Sequence, residues 1–169
     1  MKKILVTGGL GYIGSHVVVE LQENGFEVVI IDDLSNSYEM VLDGIFKITK
    51  VRPLFEIIDM KDKKSVVNFF TKHKDISGVI HFAAFKSVGE SVHNPLRYYE
   101  NNIHSLVYLL QEINKLSSSV LIFSSSCTVY GQSETFPISE QSCDKEPESP
   151  YGVSKKLGEK IIKDTCRSN

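Results

Sequence analysis

A tyrosine and a lysine stand four residues apart near the carboxyl end of the chain, as Tyr151 and Lys155 in "SPYGVSKK". A phenol that has lost its proton is a base, and a neighbouring ammonium stabilises the phenolate. Tyrosine titrates near 10, so a phenolate useful at neutral pH needs about 4 kcal/mol of differential stabilisation. One ammonium at about 4 Å supplies about 1 kcal/mol in bulk water and about 4 kcal/mol at an effective dielectric near 20. The pair is therefore a base only where water is excluded. Spacing alone says little, because a chain with this many tyrosines and lysines holds on the order of one such pair by chance. Position says more. Pro150 suits a first helical turn, which puts Tyr151 and Lys155 on one helix face with about 6 Å of rise between them. Ser126, just past an apolar run, could hold a substrate oxygen and relay its proton.

The second cluster lies near the amino end, in "KKILVTGGLGYIGSHVVVEL". Gly9, Gly11 and Gly14 satisfy G-x-G-x-x-G, and Gly8, Gly11 and Gly14 give the looser G-x-x-G-x-x-G. Both follow a predicted strand and open a predicted helix. In that setting glycine permits the tight turn, bare backbone lets a pyrophosphate approach, and a missing side chain at Gly14 lets helix pack on strand. The unpaired N–H groups of the helix start face the anion. Asp32 follows about 20 residues later at the end of the next strand, where a carboxylate accepts ribose hydroxyls. This predicts NAD over NADP, since a 2′-phosphate would meet Asp32 and Asp33, and "DDLSNS" offers no cation to offset them. With such a cofactor, the Tyr151–Lys155–Ser126 set would perform proton transfer coupled to hydride transfer.

These groups need a scaffold. Short β-rich runs alternate with stretches of helical period, the pattern of a parallel sheet between helices. The sequence predicts strands at Lys3–Thr7, Glu27–Ile31, Leu54–Ile58, Gly78–Phe82 and Val120–Ser124. It predicts helices at Tyr12–Asn24, Tyr38–Thr49, Lys63–His73, Leu96–Lys115 and Pro150–Cys166. Runs such as "VVII" and "VLIF" suit strands buried on both faces. The expected fold is α/β, a doubly wound, Rossmann-like parallel sheet, with residues 1–169 forming an NAD-binding domain. "PISEQSCDKEPESP" reads as a long surface loop near a site. The chain ends three residues after the last predicted helix, where such a sheet would cross over to another strand. The expectation is a chain cut before a substrate-binding part that lies beyond residue 169.

Bulk properties narrow the partners. A formal charge of −2, with 24% charged residues of balanced sign, gives no footprint for nucleic acid. No apolar run reaches the length of a membrane span and no signal-peptide pattern opens the chain, so a cytoplasmic protein is expected. Cys127, Cys143 and Cys166 lack disulfide or zinc spacing. His16, His73, His81, His93 and His104 are unclustered, so no metal site is expected.

"TGGLGYIGSH", "DDLSNS", "IHFAAFKSVGES", "RYYENN", "FSSSCTVYG" and "SPYGVSK" together resemble, in order and spacing, the extended short-chain dehydrogenase/reductase family, and within it the UDP-glucose 4-epimerases. The resemblance spans essentially the whole chain. It implies a tightly held, recycled NAD and a UDP-glucose or UDP-galactose substrate. Tyr151 would take the proton of the sugar 4′-hydroxyl, Lys155 and Ser126 would assist, and a 4-ketose would turn over and be reduced on its other face. Matching positions imply that Gly8, Gly11, Tyr12, Ile13 and Gly14 lie at the pyrophosphate. Asp32, Asp33, Leu34, Ser35, Asn36 and Ser37 would hold the adenosine ribose and nearby groups, and Asp59 and Met60 would flank the adenine. Phe82, Ala83, Ala84, Phe85 and Lys86 would line the cofactor, with Asn101 at its nicotinamide half. Related enzymes dimerise through helices matching Leu96–Lys115 and Pro150–Cys166, so a homodimer is an open expectation.

Three positions depart from the family: Ala84 and Phe85, where it usually has glycine and leucine, and Cys127, where it usually has alanine. Cys127 reads as a small buried residue. Alternatives stay open. A nucleotide-sugar 4,6-dehydratase shares the cofactor domain but needs an acid pair after the serine run, where this chain has Thr128. Epimerases of other UDP-sugars are not separable from the sequence, and a nucleotide sensor or an NAD-binding fragment without turnover would keep the fold alone.

Overall fold

Five short strands rich in Val, Ile and Leu pair side by side in parallel: β1 (Lys3–Thr7), β2 (Glu27–Asp32), β3 (Leu54–Ile57), β4 (Ile76–His81) and β5 (Val120–Phe123). The computed structural model describes residues 2–116, 120–133, 136–142 and 145–168. The sheet order is β3-β2-β1-β4-β5. The order therefore reverses at β1, whose neighbours are β2 and β4, as in a Rossmann-like doubly wound sheet; such sheets bind ligands beyond the carboxyl ends of the strands at that switch point. The chain divides into two compact units, Met1–Ala83 with Gln111–Ser124, and Ala84–Leu110 with Ser125–Asn169.

The first unit holds the sheet, α1 (Tyr12–Glu23), α2 (Val41–Thr49) and α3 (Lys63–Lys72). Along β1 and β2 the side chains alternate between faces. Val6, Val28 and Ile30 pack with Leu10, with Val18 of α1 and with Leu42 and Ile45 of α2 in one core cluster. Leu5, Val29 and Ile31, of the opposite parity, are fully buried as well. "VVII" is thus buried on both faces, as expected. In "VLIF", Val120 and Ile122 of β5 are 67% and 57% exposed, since no described residue of this chain covers that face.

The second unit holds α4 (Val88–His93), most of α5 (Pro95–Ile113), a 3-10 turn at Cys127–Tyr130 and α6 (Pro150–Ser168). α4 is a helix that the apolar period did not announce. Its signal is "SVGE", a serine followed three residues later by glutamate. Ser87 caps it through Oγ, which accepts from Glu90 N at 3.3 Å. The predicted start of α2 at Tyr38 is also corrected. Val41, Leu42 and Asp43 donate to carbonyls three residues back, so Tyr38, Glu39 and Met40 form a tight turn before the helix. α6 does begin at Pro150. Cys143 lies outside the described residues. Among the described residues no helix is long and apolar enough to cross a membrane.

Candidate functional site

In the first unit, the chain leaves β1 through the glycine loop. Gly8 sits at φ +67°, the left-handed region that favours glycine, and a Cβ there would come within 2.8 Å of Ala83 N, just beyond β4. At Gly14 a Cβ would meet the Gly8 carbonyl oxygen at 2.3 Å, so the first turn of α1 lies directly on the loop. Gly11 differs: its nearest neighbour would be Gly8 O at 3.3 Å, a tight contact that small shifts relieve. Gly11 is the N-cap of α1, no side chain caps the helix, and its first turn holds no acidic residue. Tyr12 and Ile13 are exposed. An anion thus meets amide donors and the positive end of the helix dipole without competition from a carboxylate.

Asp32 ends β2, only 7% exposed. Its Oδ2 accepts from Leu10 N at 3.1 Å, which ties the acid to the glycine loop. Oδ1 accepts from Leu34 N at 3.0 Å and from Ser37 Oγ at 2.7 Å. Each carboxylate oxygen accepts two bonds. Oδ2 therefore has room for one ribose hydroxyl, and a second would take the place of Ser37, itself one of the residues assigned to the ribose. Leu34 adopts φ +60°, held by its bond to Asp32 and by packing of its side chain on the core. Asp33 is exposed and bonds Ser35 through N and Oγ, while Asn36 is exposed beside them. Met60 is buried, and the Asp59 carboxylate pairs with Lys61. Past β4, Phe82 N donates to Thr7 O at 3.0 Å and its ring packs on the core cluster. His81 is buried with Nδ1 at 2.7 Å from Thr7 Oγ1, a structural role.

The second unit holds the acid–base residues. Tyr151 and Lys155 are both buried, one turn apart on α6. Burial pushes the Lys155 ammonium down to about 8. It still carries a proton at pH 7, in the water-poor setting that the phenolate requires. Ser126 caps the 3-10 turn, its Oγ accepting from Thr128 N at 3.3 Å and from Thr128 Oγ1 at 2.9 Å. With both lone pairs engaged, the remaining capacity of Ser126 is as a donor, which suits a group that holds a substrate oxygen. Ser125 donates to Glu159 of α6.

The segment expected at the cofactor is built into the same unit. Ala84 is half-buried and Lys86 exposed. Phe85 lies under the Arg97 guanidinium, 4.5 Å from its ring centroid, and 5.6 Å from the Tyr98 ring. A phenylalanine at this position thus gains a cation–π contact that leucine cannot make. Tyr98 Oη accepts from Ser87 N at 3.1 Å and donates to Glu90 at 2.9 Å; burial and that carboxylate hold its phenol above the usual range. Asn101 is buried and donates to Asn102 Oδ1 at 3.0 Å. The sequence reading missed Asn102, Ser154 and Thr128. A signal existed for the first, since two adjacent asparagines within a long helix are poor helix formers that must bond elsewhere. Cys127 is a correction: expected to be buried, its side chain is exposed, because the 3-10 turn buries Val129 instead.

The comparisons with known proteins agree with this architecture. The family model described as GDP-mannose 4,6 dehydratase matches residues 5–169. The UDP-glucose 4-epimerase of Yersinia enterocolitica is 46% identical over 161 residues, 95% of this chain and 48% of that protein. The crystal structure of the Bifidobacterium longum UDP-glucose 4-epimerase in complex with NAD+ and UDP superposes with a TM-score of 0.95 at 37% identity, covering 99% of this chain and 50% of that one. The Stenotrophomonas maltophila UDP-glucose 4-epimerase, with bound NAD and formylated UDP-arabinopyranose, gives 0.92 at 40% identity, covering 99% and 49%. The chain spans about half the length of the relatives it matches. By its folded strand order, its loop chemistry and a family match that begins within β1 and runs to the last residue, the chain belongs to the GDP-mannose 4,6 dehydratase family.

Proposed function

We propose that this chain supplies the NAD-binding domain and the proton-transfer residues of a UDP-glucose 4-epimerase, with a substrate domain contributed by sequence beyond residue 169. The observation that carries the reading is the buried Tyr151–Lys155 pair on α6. Gly11, Tyr12, Ile13 and Gly14 would hold the pyrophosphate, Asp32 and Ser37 the adenosine ribose, and Asn101 the nicotinamide half. The geometry fits such a ligand: an uncapped helix start after Gly11, and one acceptor position remaining on Asp32 Oδ2. Bound NAD would supply a reversible acceptor for the C4 hydrogen of the sugar. The Tyr151 phenolate, one turn of α6 from the Lys155 ammonium, takes the 4′-hydroxyl proton and returns it. Ser126 donates to the C4 oxygen and holds it through the ketone stage. No net oxidation results.

Several observations separate this from neighbouring activities. Relatives at 42% to 46% identity are named UDP-glucose 4-epimerase, whereas the family description names a dehydratase. Loss of water from the sugar needs an acid pair after the serine run, and this chain has Cys127 and Thr128 there. Asp32 opposes a 2′-phosphate. Exposed Leu96 on α5 and Leu157 on α6 support a homodimer through these helices, which sedimentation of the protein would check. Incubation of the whole protein with UDP-galactose tests the function: UDP-glucose should appear with no accumulation of NADH. A dehydrated product, or strict dependence on NADP, would contradict the proposal. The isolated 1–169 polypeptide should bind NAD with little or no turnover.

A further inference from the structure

One buried side chain joins two other segments of the second unit to the helix that carries it. Asn102, on α5, is 6% exposed. Its Oδ1 accepts from Phe85 N at 2.9 Å and from Asn101 Nδ2 at 3.0 Å. Its Nδ2 donates to Phe85 O at 3.1 Å and to Ser154 Oγ at 2.9 Å. Ser154 Oγ passes the chain on, donating to Tyr151 O at 2.7 Å. A carboxamide has two acceptor and two donor positions, and all four are used. Rotating the amide by half a turn would set N–H against N–H and oxygen against oxygen at Phe85, so its orientation is fixed by the network.

We propose that Asn102 is a positioning residue, acting through Ser154, which fixes the Ala84–Lys86 segment and Asn101 against the turn of α6 that bears Tyr151. The inference rests on the proposed function, in which the first two contact the cofactor and the third is the base. Its physical basis is alignment: reacting groups held in a near-attack geometry lose about 10²-fold in rate for a displacement of about 1 Å. Backbone bonding at Phe85 takes both the N–H and the C=O of one residue, so the segment is held in place and in rotation together. Burial makes the arrangement stiff, because each unmade bond there leaves a desolvated polar group.

Two substitutions in the full-length protein divide the network. Ser154→Ala cuts the link to α6 and leaves the Phe85 clamp intact. Asn102→Asp keeps the acceptor side and the shape while removing both donors. For Ser154→Ala we expect kcat for UDP-galactose to fall roughly 10–100-fold with KM within about threefold and NAD content unchanged. A second readout does not need turnover: amide hydrogen exchange in the Ala84–Lys86 segment, followed by mass spectrometry, should be several-fold faster in Ser154→Ala, with exchange elsewhere unchanged. Asn102→Asp should show the same direction with a larger loss of kcat. Wild-type kcat and unchanged exchange in the Ala84–Lys86 segment of a folded Ser154→Ala protein would overturn the inference. So would a loss of kcat matched by an equal loss of folded protein, which marks a structural role alone. Absence of epimerisation in the wild-type control would refute the proposed function instead, and the hydrogen exchange would still decide the role of Asn102.

Discussion

Replacing Lys155 by methionine should stabilise the fold while removing its activity. Methionine has a similar length and no charge, and the site is buried, with Lys155 only 4% exposed. Burial brings the ammonium from 10.5 down to about 8. At about 1.36 kcal/mol per pH unit, keeping that proton at pH 7 costs the folded state about 3 kcal/mol. The direction with pH follows from which state binds the proton. Below pH 8 both states are charged and the penalty is complete. Between 8 and 10.5 the folded protein has released a proton that the unfolded chain still holds, so wild-type stability rises with pH relative to the variant. The advantage of Lys155→Met should therefore be largest at pH 7, up to about 3 kcal/mol, and shrink to about 1 kcal/mol at pH 10. Urea unfolding followed by far-ultraviolet circular dichroism at pH 7, 8.5 and 10 measures it. A variant no more stable than wild type, or one whose advantage does not change with pH, would refute the account of this lysine. Stabilisation together with lost turnover would show that the chain keeps a costly buried cation for its chemistry.

The glycine loop offers a contrast between two single methyl groups. Gly14→Ala drives a Cβ to 2.3 Å from Gly8 O and should cost about 2 kcal/mol or more in a urea titration, whereas Gly11→Ala meets the same atom at 3.3 Å and should leave the fold nearly intact while weakening NAD binding measured by calorimetry. Asp32→Asn puts an amide donor among the donors Leu10 N, Leu34 N and Ser37 Oγ; it should lower the ratio of NAD to NADP affinity at least tenfold, about 1.4 kcal/mol, and lower the unfolding midpoint as well.

Much of this was legible because sequence signals and packing coincide. β1 matches its predicted bounds, and the start of α6 at Pro150 follows from a fixed φ and a missing donor that a helix accepts without cost in its first turn. The glycine loop was readable for the same reason: its residues are small because backbone atoms touch there, at Gly8 and Gly14. What escaped depends on contacts between residues distant in sequence. Nothing local says that Asn102 bonds Phe85 and Ser154, or that Thr128 engages Ser126. The exposure of Cys127 turns on the direction of one 3-10 turn. The apolar pattern of "VLIF" predicted burial on both faces, and the face bearing Val120 and Ile122 has no cover among the described residues. α4 was missed although "SVGE" signals a helix start, because six residues are too few to show a period.

The central claim is that the Tyr151 phenol carries the proton of the sugar hydroxyl. Tyr151→Phe in the full-length protein tests it most directly, with kcat for UDP-galactose and NAD content measured on the same preparation. The account predicts a fall in kcat of roughly 10²–10⁴-fold with NAD still bound. A folded, NAD-loaded Tyr151→Phe protein that turned over at the wild-type rate would contradict it.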